Sequence, residues 1–464
     1  MDVNLLPNYI DGLKSSFKDS RVRKNIDRLC STIVANRHIN LYTMSKDKRT
    51  YDVFRGLLNG EQVLTLDSDI ILSCVQKQAE TLLGKESKTH YALHDGCDIR
   101  KVNSKEMEYL GDVLSLSKKV ITGYKTMNSI VVDIEKQSVN LLCHKLYSNK
   151  MPNYIGEGTL SDEILMAGLS TEQQKLVENG TYINTKVLLL RSLKKSSELI
   201  KGLNAQNKVC HIIDREHDDE YVFDKITSEL KDEFVIRLKS NRLSHKTYVK
   251  YTPTGKVSKR TSQCKLVDKK FDNGDSFCIE KIRIKGVTYR NVTAYLDWED
   301  LKLGEKDYNV VRITLKKEGK ALFQQPMLLI TNRTLNNAQD AKAIYVTYLL
   351  RTKIEVVFRF LKQNLGWEAF QIRDFNSIKN LLALAFFLVG FFPELEKELA
   401  AHPIAIQLCQ LAKSKGIVSL HFMLKGLESL AHFQEVAKWI NQNDIPPDQI
   451  QELLQMINTI NTKQ

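Results

Sequence analysis

Three acids stand where metal-assisted chemistry could use them. Asp95 closes the run THYALHD, Asp214 closes KVCHIID, and Glu355 lies within YLLRTKIEVVFRFLK. Each aspartate reads as the C-terminal end of a short apolar strand, the edge at which open α/β sheets bind ligands. Three carboxylates meeting there would offer hard oxygen donors to two Mg²⁺ ions, with Mn²⁺ as a substitute. Two such ions can activate a water or hydroxyl and stabilise the leaving oxygen of a phosphodiester. Without a cation the clustered like charges repel. Asp is also a common turn residue, and Asp98 and Asp133 compete for the first position. Asp133 sits inside a strand pattern and Asp98 in the following loop, so Asp95 is preferred. His211, Asp214 and His217 would suggest zinc, but that spacing crosses a strand end and does not share one face.

Glu355 belongs to an ordered stripe. At 100° per residue, Tyr348, Arg351, Glu355 and Lys362 fall within roughly a 60° arc of one helix, while Leu350, Ile354, Val357 and Leu361 take the opposite, apolar arc. An exposed face with an Arg351–Glu355 ion pair at i,i+4 explains part of this. The stripe nevertheless holds a fixed set of one hydroxyl, one carboxylate and two cations.

The elements that must position these groups follow from patterning. Residues 1–84 read as helical, with SDIILSCVQKQAETLLG opening at a Ser-Asp cap and closing at Gly84. Strand patterns follow in THYALHD, SIVVDIEKQSVNLLCHKLY, KVCHIID and EFVIRLKS, with helices in TEQQKLVENG, LRSLKKSSELIKGL and EYVFDKITSEL. QCKLVDKKFDNGDSFCIEKIRIKGVTY reads as a β-hairpin turning at Asn273-Gly274. In its second strand Ile282 and Ile284 alternate with Lys281, Arg283 and Lys285, so one face is apolar and the other cationic. PMLLITN is a last strand, and the Glu355 helix begins near Asn337. Beyond Trp367 the chain reads as helical, with breaks at Pro393 and Pro446-Pro447. A mixed α/β core results.

Bulk properties narrow the classes. The chain has 464 residues, 42% hydrophobic and 27% charged, and a net charge of +13. Those values suit a globular protein with an acidic partner. Arg237 to Arg290 holds fifteen Lys/Arg against four acids (Asp268, Asp272, Asp275, Glu280), so the excess is concentrated there. The eight cysteines form no C-x-x-C pair, which favours neither a zinc ribbon nor a disulfide framework and fits a reducing cytoplasm. The apolar run Leu381–Phe392 reads as a buried helix too short for a bilayer and ending at Pro393, so no membrane is expected.

The spacing Tyr348-x2-Arg351-x3-Glu355-x6-Lys362 resembles the Y-R-E-K signature of DDE transposases from bacterial insertion sequences. HIIDRE and YALHD resemble that family's second and first aspartate motifs, and the resemblance covers about residues 85–370. It implies an RNase H-like (retroviral integrase-type) catalytic core interrupted by a β-rich insertion. It also implies catalytic and metal-binding roles for Asp95, Asp214 and Glu355, and phosphate contacts from Tyr348, Arg351 and Lys362. The division expected is a helical DNA-binding region 1–84, core 85–244, basic insertion 245–325 with DNA contacts at Lys281, Arg283 and Lys285, core 326–395, and a helical C-terminal region 396–464. The partners implied are double-stranded DNA, as element ends and target, and a second protomer in a homodimer, in a nucleoid-associated bacterial setting. A non-catalytic DNA-binding relative and a nuclease without joining activity are the rival readings. One departure is Met327, where some relatives place a Trp that stacks on a flipped base; Trp298, in the insertion, is the candidate substitute.

Overall fold

Apolar runs rich in Val, Ile and Leu pair into one mixed, eleven-stranded sheet in the computed structural model. The structure describes residues 4–59, 66–135, 138–156, 168–251, 257–284, 286–303, 306–413, 419–442 and 451. The strands are β1 (Thr89–Arg100), β2 (Gly111–Leu114), β3 (Val120–Asp133), β4 (Ser138–Tyr147), β5 (Lys208–Ile213), β6 (Glu233–Arg237), β7 (Leu243–Tyr251), β8 (Val257–Lys265), β9 (Asn273–Ile284), β10 (Val287–Leu303), β11 (Lys306–Lys317), β12 (Lys320–Ala321) and β13 (Met327–Thr331). Their order is β2-β3-β1-β5-β6-β13-β11-β10-β9, with β4 on β3 and β12 on β11. Among the described strands of this sheet, β1/β5 and β5/β6 pair in parallel and the other pairs are antiparallel. β7 and β8 form a separate two-stranded sheet.

Register decides what each face carries. In the β1/β5 ladder Ala92 lies opposite His211 and His94 opposite Ile213. With a period of two, these four point to one face, and Leu93, Asp95, Ile212 and Asp214 to the other. The first face is covered by the helices Ser68–Leu83 and Thr185–Leu203, where Ala92, Val131 and Val209 pack with Ala79, Leu83 and Ile200. The acid-bearing face receives the helices Ala338–Leu349 and Thr352–Asn364. Helices therefore cover both sides of a central parallel pair, as in other layered α/β folds.

Several local expectations need correction. Asp95 does not end its strand. β1 runs on to Arg100 because β3 continues to pair with it, and only the parallel ladder to β5 stops at His94. Asn273-Gly274 is not a turn; both residues pair with β10, and the hairpin reverses between Ile284 and Val287, where Gly286 takes φ 85°. A positive φ at that position favours glycine. Tyr348 and Lys362 do not share one helix. The chain makes i→i−3 bonds at Leu350→Thr347 and Arg351→Tyr348, which split the segment into Ala338–Leu349 and Thr352–Asn364. The cap of Ser68–Leu83 is Asp67, whose side chain accepts from the Asp69 N–H.

Two compact units result, residues 10–389 and residues 1–9 with 390–464. In the first, Asn380 is buried and accepts from the Ser68 N–H at 2.8 Å while donating to the Leu58 carbonyl at 2.8 Å. It thereby ties the helix Phe375–Val389 to two N-terminal helices. Strands β9, β10 and β11, expected as an insertion, extend the core sheet through β13. In the second unit Phe391–Ala401 continues past Pro393, which sits in its first turn, where a missing N–H costs little. The apolar run Leu381–Phe392 is largely buried, as expected, although by length and composition alone the stretch Phe375–Ala401 around it would suit a membrane span. Helices Ala405–Leu411 and Leu420–Gln442 approach closely at Gly426, where a Cβ would lie 2.1 Å from the Leu408 carbonyl oxygen. Pro446 and Pro447 lie outside the described residues.

Candidate active site

Asp95 and Asp214 occupy the positions immediately after the last parallel rung, His94 opposite Ile213. They are therefore neighbours on adjacent strands and point to the same face. Asp214 leaves β5 and immediately precedes a single 3₁₀ turn, Arg215–His217. Glu355 reaches the same place from the first turn of Thr352–Asn364, a favourable position for a carboxylate against the helix dipole. Three acids distant in sequence are thus set around one point.

That point holds the Arg351 guanidinium. Its Nη2 lies 2.9 Å from Asp95 Oδ2 and 3.3 Å from Asp214 Oδ2, and its Nη1 donates to Glu355 Oε1 at 2.5 Å. Arg351 precedes the helix at the break, and the tightened turn there carries its side chain over the strand ends. The Tyr348 hydroxyl, from the preceding helix, donates to Asp214 Oδ1 at 3.0 Å. Lys362 donates to the Asp98 carbonyl at 2.6 Å and pairs with Glu368 at 2.8 Å, fastening its helix to the end of β1. Tyr348, Arg351 and Lys362 all turn onto protein groups here.

The electrostatics follow from crowding. Burial pushes the Asp95 carboxyl up to about 7; Arg351 opposes this, and Asp214, Glu216 and Glu355 add to it. Burial also works against ionised Asp214, but Arg351, the Arg215 N–H and the Tyr348 hydroxyl outweigh it and hold the carboxyl below its usual range. Burial and Asp214 both push the Tyr348 hydroxyl upward, so it remains a donor. Burial disfavours the Arg351 cation, yet Asp95 and Asp214 reverse that and keep it charged.

The donor set suits a divalent cation, because all three side chains are carboxylates and the site needs positive charge. Among the described residues no group of three His, Cys, Asp or Glu side chains stands in a metal-holding arrangement. The carboxylates converge on the guanidinium instead. A cleft of about 420 Å³ opens beside Asp214, lined by Arg215, Glu216, Lys239, Ser240 and Asn241. The zinc reading fails on geometry, since both ring nitrogens of His211 are already hydrogen-bonded within the protein. Asp133 pairs with Lys88 at 2.7 Å at the far end of β3, away from the site, and Asp98 accepts from the Leu114 N–H.

One network escapes a reading of motifs. On the opposite face, Ser129 on β3 contacts His94 at 2.7 Å, His94 contacts His211 at 2.9 Å, and His211 contacts Asp232 at 3.1 Å. Lys201 completes it, 2.6 Å from Asp232. Burial lowers both histidine pKa values, holding the rings neutral. The chain crosses β3, β1 and β5 beneath the residues that carry Asp95 and Asp214. A histidine inside an apolar strand run was the available signal, because a buried ring needs partners.

Lys281 and Arg283 are exposed on β9, with Ile282 and Ile284 half-buried between them; Lys285 lies outside the described residues. Trp298 is buried in β10 and Met327 is half-buried at the start of β13, so Trp298 presents no open stacking face.

Residues 190–390 match the family model described as transposase DDE domain. No curated protein matches the chain. The matched span includes Asp214, Tyr348, Arg351, Glu355 and Lys362 and begins beyond Asp95, which joins the site through strand register.

Proposed function

We propose, from the match of residues 190–390 to the transposase DDE domain model and from the geometry above, that this chain is a DNA transposase. It binds the terminal inverted repeats of its element, cleaves the ends and joins the freed 3′-OH to target DNA. The observation that carries this reading is the convergence of Asp95, Asp214 and Glu355 on one guanidinium. Two acids at the end of a parallel ladder, with a helix delivering the third, support an RNase H-like core.

Asp95, Asp214 and Glu355 would hold Mg²⁺, or Mn²⁺ in its place, and the bound ions supply activation of the attacking oxygen and charge stabilisation of the leaving one. Asp95 must give up its proton to serve, and its burial makes that step sensitive to pH near neutrality. Tyr348 offers a hydroxyl, Arg351 a planar fork and Lys362 a point charge to backbone phosphates. A second backbone contact is the exposed face of β9 and β10. There Lys281 stands directly opposite Arg290, a like-charge pair that is unfavourable by itself and is relieved by an anion. The N-terminal helices help recognise the ends, and the C-terminal helices pair two protomers so that both ends are cut together.

Strand-transfer assays with Mg²⁺ or Mn²⁺ on candidate end sequences test this reading. Cleavage and joining lost in Glu355→Gln are expected. Cleavage without joining would identify a nuclease, and DNA binding with neither would identify a non-catalytic relative.

A further inference from the structure

We infer that Arg351 is a resident counter-cation that holds the three carboxylates in the absence of DNA and must leave them before divalent ions bind. The inference rests on the metal-dependent reading above. Nη2 serves Asp95 and Asp214 together, while Nη1 serves Glu355. The Arg351 side chain is only 17% exposed, and its Nε is buried without a hydrogen-bond partner. An arginine placed for helix stability alone would satisfy Glu355 and extend to solvent. This one leaves a donor unsatisfied in order to reach both strand ends.

Charge makes the two occupancies exclusive. A guanidinium among the carboxylates would stand within a few ångströms of any bound divalent ion, and that repulsion is strong in a partly buried site. Departure is mechanically simple, because Arg351 lies at the break between two helices, where the backbone already makes i→i−3 bonds. A backbone phosphate is the natural receiver, since it accepts the planar fork in a bidentate manner. DNA then removes the cation from the carboxylates, and metal binding favours its removal. The two ligands must strengthen each other reciprocally. The metal site therefore forms where a phosphate is present, and DNA-free protein keeps its carboxylates paired with Arg351 instead.

Mn²⁺ titration of the DNA-free full chain, followed by electron paramagnetic resonance, tests this without any activity measurement. Arg351→Gln should bind Mn²⁺ about tenfold more tightly than wild type, in the range of ordinary coupling energies. Arg351→Lys should fall between them, because a point charge grips three carboxylates less well than a fork. Adding Glu355→Gln to Arg351→Gln should remove the gain. Should Arg351→Gln fail to fold in a thermal melt, Arg351→Lys decides alone, by binding more tightly than wild type. Equal or weaker binding in the Arg351 variants overturns the inference. If wild type also binds Mn²⁺ well and cleaves DNA with it, the transposase reading survives that result. If no form binds Mn²⁺ with or without duplex DNA, the metal-dependent reading falls as well.

Discussion

Arg351 and Asp95 are joined at 2.9 Å although they lie 256 residues apart in sequence. Their contact closes a site that one strand pair and one helix break build together. Asp95 contributes through the β1/β5 register, and Arg351 through the turn that separates two helices. Each prediction below probes one part of that arrangement.

Replacing an acid should remove chemistry while preserving the fold. Asp214→Asn and Glu355→Gln each leave Arg351 with two carboxylate partners. Nicking of end-sequence DNA should fall by about 10²- to 10³-fold, the scale seen when a preorganised electrostatic group is lost. Circular dichroism and thermal melting should remain close to wild type. Retained cleavage in Glu355→Gln would remove that residue from the site.

Asp95 gives a pH signature with a defined sign. Its folded carboxyl is raised from 3.8 to about 7, so between those values the native state binds more protons than the unfolded state. The stability that protonated Asp95 contributes is present below about pH 4 and is lost as pH rises toward 7. The difference in unfolding free energy between metal-free wild type and Asp95→Asn should therefore shift against wild type over that interval. Urea titrations at several pH values measure it, and a constant difference would contradict the assigned environment.

The cationic face of β9 should control the salt dependence of DNA binding. Each phosphate contact contributes a slope of about −0.9 in log K against log salt. Replacing Lys281 and Arg283 by Gln should reduce the slope by about two, and including Lys285 by up to about three. Fluorescence anisotropy across a salt series reads this directly. An unchanged slope would move the backbone contact elsewhere.

The Ser129–His94–His211–Asp232 chain should act as a unit. His94→Leu leaves the Ser129 hydroxyl and a His211 nitrogen buried without partners, at a cost of about 2 kcal/mol. Ser129→Ala together with His94→Leu should cost less than the sum of the single changes, because both remove the same bond. Chemical denaturation of the four proteins completes the cycle, and strict additivity would argue that the groups are independent.

The sequence by itself determined the local elements and the identity of the reactive groups. Apolar runs placed β1, β5, β6 and β13, Asn337 and Gly84 marked helix ends, and the spacing of Tyr348, Arg351, Glu355 and Lys362 singled out one segment. Such signals are short-range, since periodicity and capping act within a turn or two. Only the tertiary structure decided where those groups point. Strand pairing continued β1 past Asp95, made Asp95 and Asp214 neighbours, joined β9–β11 to the core sheet and moved the hairpin turn to Gly286. It also turned Arg351 from the expected DNA face onto three carboxylates and linked His94 to His211. Pairing partners and buried charge balance are set by residues hundreds of positions apart, and no local pattern specifies them.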